Sequence, residues 1–151
     1  MVLIFPLLAE LIFDKMSIYI ASFEDTLEIM SFINLEWKEG HILSRDKDFF
    51  TYEHFYNNQV NFVVSKNSSG TINGVLGFIP TALSELSDVF TVIWKVSKGN
   101  KTPMLGVQLL RFLQKNSYVR NILSLGINKE TIGIYNYMGF SIGTLNHYVL
   151  F

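Results

Sequence analysis

The stretch VFTVIWKV-SKGNKT-PMLGVQLLRFLQ, residues 89–114, carries three local signals in a row. Its first eight residues are almost all β-branched or aromatic, which suits a strand. The next six are polar and include a glycine, which suits a loop. Pro103 stands where a first helical residue would, and Gly106, Leu109, Leu110 and Leu113 recur on one helical face. Such a junction presents unpaired backbone N–H groups and the positive end of a helix dipole. An anion such as phosphate or pyrophosphate fits there, with Lys98 and Lys101 adding charge. Every strand–helix junction has a helix N-terminus, so this pattern alone does not separate a binding loop from a plain connection.

Working outward, residues 60–65 (VNFVVS) and 72–79 (INGVLGFI) read as strands joined by the turn chemistry of residues 66–70, an antiparallel hairpin. Residues 17–21 (SIYIA) alternate as a short strand. Ser22 followed by Asp25 opens a helix whose apolar positions Thr26, Ile29, Met30, Ile33 and Trp37 recur up to Gly40, widened by Leu27 and Phe32. Residues 41–58 are polar and aromatic together, which predicts one short helix with irregular flanks. On the other side, residues 122–127 (ILSLGI) predict a strand. Asn128 caps a helix through Ile132, Tyr135 and Met138 that Gly139 ends in a left-handed conformation, and residues 141–151 close as a strand. A hairpin combined with a βαβ crossover makes this an α+β domain with a mixed central sheet.

At 151 residues, with 49% hydrophobic and 15% aromatic content, the chain supports one well-filled core; two large domains and disorder are both excluded. Twelve basic residues against 13 acidic ones argue against sequence-independent nucleic-acid binding. The absence of cysteine removes disulfides, thiolate metal sites and cysteine nucleophiles, and a cytoplasmic location is permitted. Residues 1–13 (MVLIFPLLAELIF) are apolar but too short to span a bilayer, and they carry Pro6 and Glu10. Three readings stay open for them: a cleaved signal, an ordered apolar extension or interface anchor, and a non-native extension before a start at Met16. The domain proper is expected over residues 17–151, with residues 1–16 as the extension.

Gly139-Phe140-Ser141-Ile142-Gly143 matches the nucleophile-elbow pattern in letters only, because a helix precedes the serine and no acidic residue follows it. His41, His54 and His147 show no metal-ligand spacing, and no metal is expected. No phosphate-cradling glycine motif for nucleoside triphosphates is present.

Lys101-Thr102-Pro103-Met104-Leu105-Gly106 resembles the pyrophosphate loop of the GNAT acyltransferase superfamily, whose pattern is Gln or Arg, two residues, Gly, one residue, Gly or Ala. The last glycine matches, Lys101 replaces the Gln or Arg, and Met104 replaces the middle glycine. A second family pattern, N-x-x-A-x-x-L-Y-x-x-x-G-F, resembles the run from Asn128 through Thr131, Ile134 and Tyr135 to Gly139 and Phe140. The order of elements agrees from Ser17 onward. The run WKEGHILSRD, residues 37–46, is similar to a segment of members linked to bacterial surface-polysaccharide loci. The family's usual seventh strand would have no counterpart in a sequence ending at Phe151.

The resemblance implies a GNAT-like, mostly antiparallel sheet flanked by helices, and an N-acetyltransferase that uses acetyl-CoA as co-substrate. It implies a small-molecule amine acceptor, an amino sugar or sugar nucleotide among the candidates, and it allows a homodimer. It places the backbone of Ile93, Trp94, Lys95 and Val96 along the pantetheine arm, residues 101–106 and Asn128 at the cofactor, and Tyr135 as the acid that protonates the leaving thiolate. Trp37, His41, Arg45, Asp46, Glu53 and His54 fall in the segment that shapes acceptor choice, and Asp88, Glu36, His41 and His54 are the candidate bases. Two other classes fit the same residues: a GNAT-fold binding domain without turnover, and a membrane-associated accessory protein held by its apolar N-terminus.

Overall fold

A computed structural model of the protein describes residues 17–82, 86–146 and 149; the N-terminal extension expected over residues 1–16 lies outside them, as does His147. Strand β1 (Ser17–Ile20) is followed by a tight 3-10 turn, helix α1 (Thr26–Phe32) and a π turn over Ile33–Trp37. Two short helices, α2 (Ile42–Arg45) and α3 (Lys47–His54), then lead through a small ribbon, β2 (Phe55–Tyr56) with β3 (Gln59–Val60), into the hairpin β4 (Phe62–Lys66) and β5 (Ile72–Pro80). Strand β6 (Ser87–Val96), helix α4 (Leu105–Gln114), strand β7 (Val119–Ser124) and helix α5 (Ile132–Tyr137) complete the order.

The sheet runs β1-β4-β5-β6-β7, antiparallel except for β6 with β7, which α4 joins as a parallel crossover. This is the mixed, mostly antiparallel sheet between helices that the sequence predicts. Side-chain alternation divides the core in two. Phe62, Val64, Val75 and Ile93 pack with Ile29, Phe32 and Ile33 of the α1 side and Phe50 of α3. Val63, Leu76, Phe78 and Val89 pack with Leu105, Leu109, Leu110 and Leu113 of α4 and with Tyr135 of α5. Each fully buried leucine of α4 contributes about 1.5–3 kcal/mol.

At the start of α1 the Asp25 carboxylate accepts the Ser22 N–H at 3.0 Å and the Tyr19 hydroxyl at 2.9 Å, and it pairs with Lys66 at 3.1 Å. Lys66 also meets Glu28 at 2.7 Å, so one ammonium ties α1 to β4. Burial works against the Asp25 charge, but these partners outweigh it and hold its carboxyl below the usual range.

Several boundaries differ from the sequence reading. The single helix expected over residues 41–58 is two, because Asp46 takes an extended conformation that ends α2 while its side chain caps α3 through Phe49 N–H at 2.9 Å. Leu27, placed on the apolar stripe, is exposed. The last strand of the sheet ends at Ser124 rather than Ile127, since Gly126 turns the chain with φ +64. Residues 141–146, expected in a closing strand, pair with no strand among the described residues. Gly139 takes the left-handed conformation expected of it, with φ +84.

His54 lies in the core at 1% exposure, its ring packed against both Phe50 and Phe62, which stack on each other. Nδ1 has no hydrogen-bond partner, and burial lowers the imidazole pKa from 6.5 to about 4 despite a bond to the Phe78 backbone. The unfolded chain therefore binds a proton below about pH 6.5 that the folded protein refuses until about pH 4. Stability on this account is complete above that window and is lost as pH falls through it, by roughly 3 kcal/mol in all. Urea midpoints at pH 7 and pH 4.5 should differ clearly in the wild type and much less in His54→Phe; equal pH dependence in both would remove His54 as the cause.

Candidate functional site

The site is built where β6 and β7 part. Their ladder runs to Thr91 with Ser124, and beyond it Val92–Val96 has no β7 partner among the described residues, although β6 stays paired with β5 as far as Val96 with Gly74. On the β5 side Leu76 faces Trp94 and Phe78 faces Thr91, so Val92 and Ile93 together oppose Gly77 alone, a β-bulge. Gly77 is required there, since a Cβ would stand 2.8 Å from the Phe62 ring. The bulge switches the faces of β6: Ile93 enters the α1-side core and Trp94 the α4-side core. An open backbone edge with unspent N–H and C=O groups results, of a kind that an extended amide-bearing ligand can pair with.

Trp94 connects three elements. Its Nε1–H donates to the Gly106 carbonyl at 3.0 Å, and its ring meets Tyr135 edge-to-face at 5.5 Å. A Cβ on residue 106 would lie 3.2 Å from Trp94 Nε1, so the glycine lets the indole rest on the first turn of α4. Tyr135 is buried, its ring also against Phe140, and its hydroxyl donates to Ser124 Oγ at 3.0 Å, beside the point of divergence.

The loop before α4 is held from inside. Asn100 accepts Thr102 N–H at 3.2 Å, donates to the Thr102 carbonyl at 2.8 Å and accepts from Asn73 at 3.2 Å. Helix α4 begins at Leu105, not at Pro103, because Met104 has φ 56 and ψ 24, which no right-handed helix accommodates. Met104 thus occupies the left-handed region at the position where the resembling loop pattern carries its middle glycine. The N–H groups of the first turn of α4 have no carbonyl a turn earlier in the helix and suit an anion, with Lys101 exposed nearby in sequence. The Lys98 end of the loop is spent differently: the Glu36 carboxylate accepts Lys98 N–H and Ser97 Oγ–H, both at 3.0 Å.

The candidate bases are each engaged in structure. Asp88 forms a two-pronged pair with Arg120 at 2.9 and 2.7 Å and accepts from Asn121; these partners hold its carboxyl down to about 2. The bonds from Lys98 and Ser97 keep the Glu36 carboxyl below its usual range. His41 Nδ1 accepts Leu43 N–H at 3.3 Å as the cap of α2, and His54 is buried.

The expected acceptor cluster comes together only in part. Trp37 and His41 meet edge-to-face at 4.8 Å. Arg45 and Asp46 line a shallow recess with Ile42, Lys47 and Asp48, half-buried Glu53 lies on α3, and His54 faces the core instead. Asn128 caps the turn before α5 by accepting Glu130 N–H at 3.0 Å. A cavity of about 480 Å³ sits on the α1 side, between Phe32, Glu36, Asn73 and Asn100, rather than at the divergence. Among the described residues no cluster of metal-ligating side chains forms, and no helix is long and apolar enough to cross a membrane.

No protein-family model and no curated protein matches the sequence. Solved structures do match. An aminoglycoside N-acetyltransferase in complex with CoA aligns at a TM-score of 0.66 and 13% identity, over 91% of this chain and 95% of its own. A mosquito arylalkylamine N-acetyltransferase like 5b aligns at 0.67 and 12%, over 85% and 84%. An acetyltransferase of Trypanosoma brucei aligns at 0.58 and 11%, over 90% and 99%. The chain shares their fold.

Met104 is 58% exposed and packs little, so its left-handed backbone is strain without compensation from burial. Met104→Gly should raise stability by about 0.5–1 kcal/mol, or about 1–4 °C in thermal midpoint. An unchanged or lower midpoint would show that the side chain supplies more than the strain costs.

Proposed function

We propose that this protein transfers an acetyl group from acetyl-CoA to the nitrogen of a small-molecule amine. The observation that carries the reading is the bulged stretch of β6 that β7 leaves unpaired along one edge, beside Tyr135 and the first turn of α4. The residues present fit acetyl-CoA: the open edge at Ile93, Trp94, Lys95 and Val96 suits the two amides of the pantetheine arm, and residues 101–106 suit the pyrophosphate. Acetyl-CoA bound there supplies a thioester whose carbonyl carbon accepts the amine.

The chain's own groups divide the remaining work. A backbone N–H on the open, β7-side edge of β6 is a suitable donor to developing negative charge on a carbonyl oxygen. The Tyr135 hydroxyl is a suitable proton donor to a thiolate. Because Asp88, Glu36, His41 and His54 are all bonded or buried, the amine loses its proton to water rather than to one of them. An amino sugar is the acceptor class we favour, since the Trp37–His41 pair and the polar Arg45 and Asp46 offer an aromatic face with neighbouring hydrogen-bonding groups. The solved aminoglycoside N-acetyltransferase supports that class by its own named substrate.

Calorimetric titration with acetyl-CoA tests the cofactor site. Met104→Asp keeps a residue that tolerates the left-handed backbone but sets a carboxylate beside the anion position. Its affinity should fall at least about tenfold, a loss of about 1.4 kcal/mol. Equal affinity in both proteins would misassign the loop. With a panel of amino sugars as acceptors and release of CoA thiol as the signal, Tyr135→Phe should lower turnover about 10²-fold with little change in acetyl-CoA affinity. Wild-type turnover in that variant would remove the phenol from the reaction.

A further inference from the structure

Tyr135 is one end of a chain of three hydroxyl groups. Its hydroxyl donates to Ser124 Oγ at 3.0 Å, Ser124 Oγ is bonded to Thr91 Oγ1, and Thr91 Oγ1 donates to the Leu123 carbonyl at 3.4 Å. Each hydroxyl has a single proton, and because Thr91 spends its own on the Leu123 carbonyl, Ser124 must donate the bond between them. With Tyr135 donating to Ser124, Ser124 donates to Thr91 and Thr91 to the carbonyl. The chain has a second consistent polarity: Thr91 donates to Ser124 and Ser124 donates to the Tyr135 oxygen, which frees the phenol proton to point elsewhere. Only the bond to Leu123 is given up, and at 3.4 Å it is the longest of the three and near the limit of a hydrogen bond.

Both serine and threonine are fixed by the sheet rather than by a loop. Thr91 and Ser124 are directly paired, and they are the last partners before β6 and β7 separate. The chain of hydroxyls therefore leads from the ladder to the mouth of the open edge and ends at the one phenol buried there.

We propose that Ser124, supported by Thr91, is a positioning residue for proton transfer, and that the hydroxyl chain reverses as Tyr135 gives up its proton. The inference rests on the acetyl-transfer reading. Tyr135 gives its proton to the sulfur on which the broken C–S bond leaves its electron pair, while the C–N bond to the acceptor forms. The proton that the acceptor nitrogen sheds to water balances the one that water later returns to the phenolate. Without reversal, the new phenolate oxygen would face a Ser124 oxygen that offers only lone pairs. With reversal it receives the Ser124 O–H, a charge-assisted bond, and Thr91 O–H completes Ser124 in turn.

Two measurements test this, one of them independent of turnover. In wild-type protein with 13C-labelled tyrosine, the Cζ resonance of Tyr135 should move when CoA is added, because the same reversal lets the phenol turn its proton from Ser124 to the CoA sulfur and accept from Ser124 instead. CoA binding that leaves this resonance where it was would show a static bond and overturn the proposal. If calorimetry finds no CoA binding at all, the acetyl-transfer reading fails first and the relay falls with it. In kinetics, Ser124→Ala should lower kcat about tenfold or more with KM for acetyl-CoA unchanged, whereas Ser124→Thr, which keeps the hydroxyl, should retain most of it. In a Tyr135→Phe background Ser124→Ala should cost nothing further, because the two act as one unit. Wild-type kcat in a folded Ser124→Ala variant, or a loss that multiplies with that of Tyr135→Phe, overturns the proposal.

Discussion

The contact between the Trp94 indole and the first turn of α4 is the constraint on which the site's shape depends. Strands β6 and β7 could remain paired along their whole length if nothing held them apart. The bulge at Val92 and Ile93 turns Trp94 toward α4, and its N–H bond to the Gly106 carbonyl fixes the distance between strand and helix. The same ring sets the position of Tyr135 from below, so strand, loop, helix α4 and helix α5 are registered through one side chain. Because the hydrogen bond is to the carbonyl of the second residue of α4, it also sets where that helix starts relative to the open strand edge.

A second constraint acts from the opposite face of the sheet. Glu36 leaves the π turn after α1 to bond Ser97 and Lys98, and Asn73 reaches from β5 to Asn100. The loop between β6 and α4 is therefore pinned at its beginning and middle, and only its last residues, around Met104, are left to face a ligand. Its shape is fixed in advance of binding, which reduces the ordering cost that an incoming ligand must offset.

Much of this architecture is legible in the sequence, for identifiable reasons. The change from β-branched residues to a polar run and then to leucines at helical spacing marks β6, the loop and α4 locally, and Gly139 marks a helix end by its own conformational preference. What is not legible depends on pairing. The bulge exists only in the register of β6 against β5, and nothing in VFTVIWKV marks which residue is extra. Met104 hides a left-handed position that a glycine would have announced. Polar letters mislead as well: His54 reads as a candidate base or acceptor-site residue, yet its burial against Phe50 and Phe62 follows from how α3 lies on the sheet. The Thr91–Ser124–Tyr135 chain joins residues from three elements, and no spacing rule connects them.

The π turn at Ile33–Trp37 carries a last consequence. A π turn accommodates one residue more than an α-helical turn of the same rise, so it behaves as an insertion absorbed inside a helix. Deleting a single residue there would let regular helix continue and would leave the residues beyond the turn on nearly the same face, since the π turn holds one residue more over about the same rotation. The buried stripe of Ile29, Met30 and Ile33 lies before the turn and would stay seated. Glu36 lies inside the turn, so its reach to Ser97 and Lys98 is what such a deletion would alter. A one-residue length change here is thus absorbed by the chain on both sides and felt at the loop before α4.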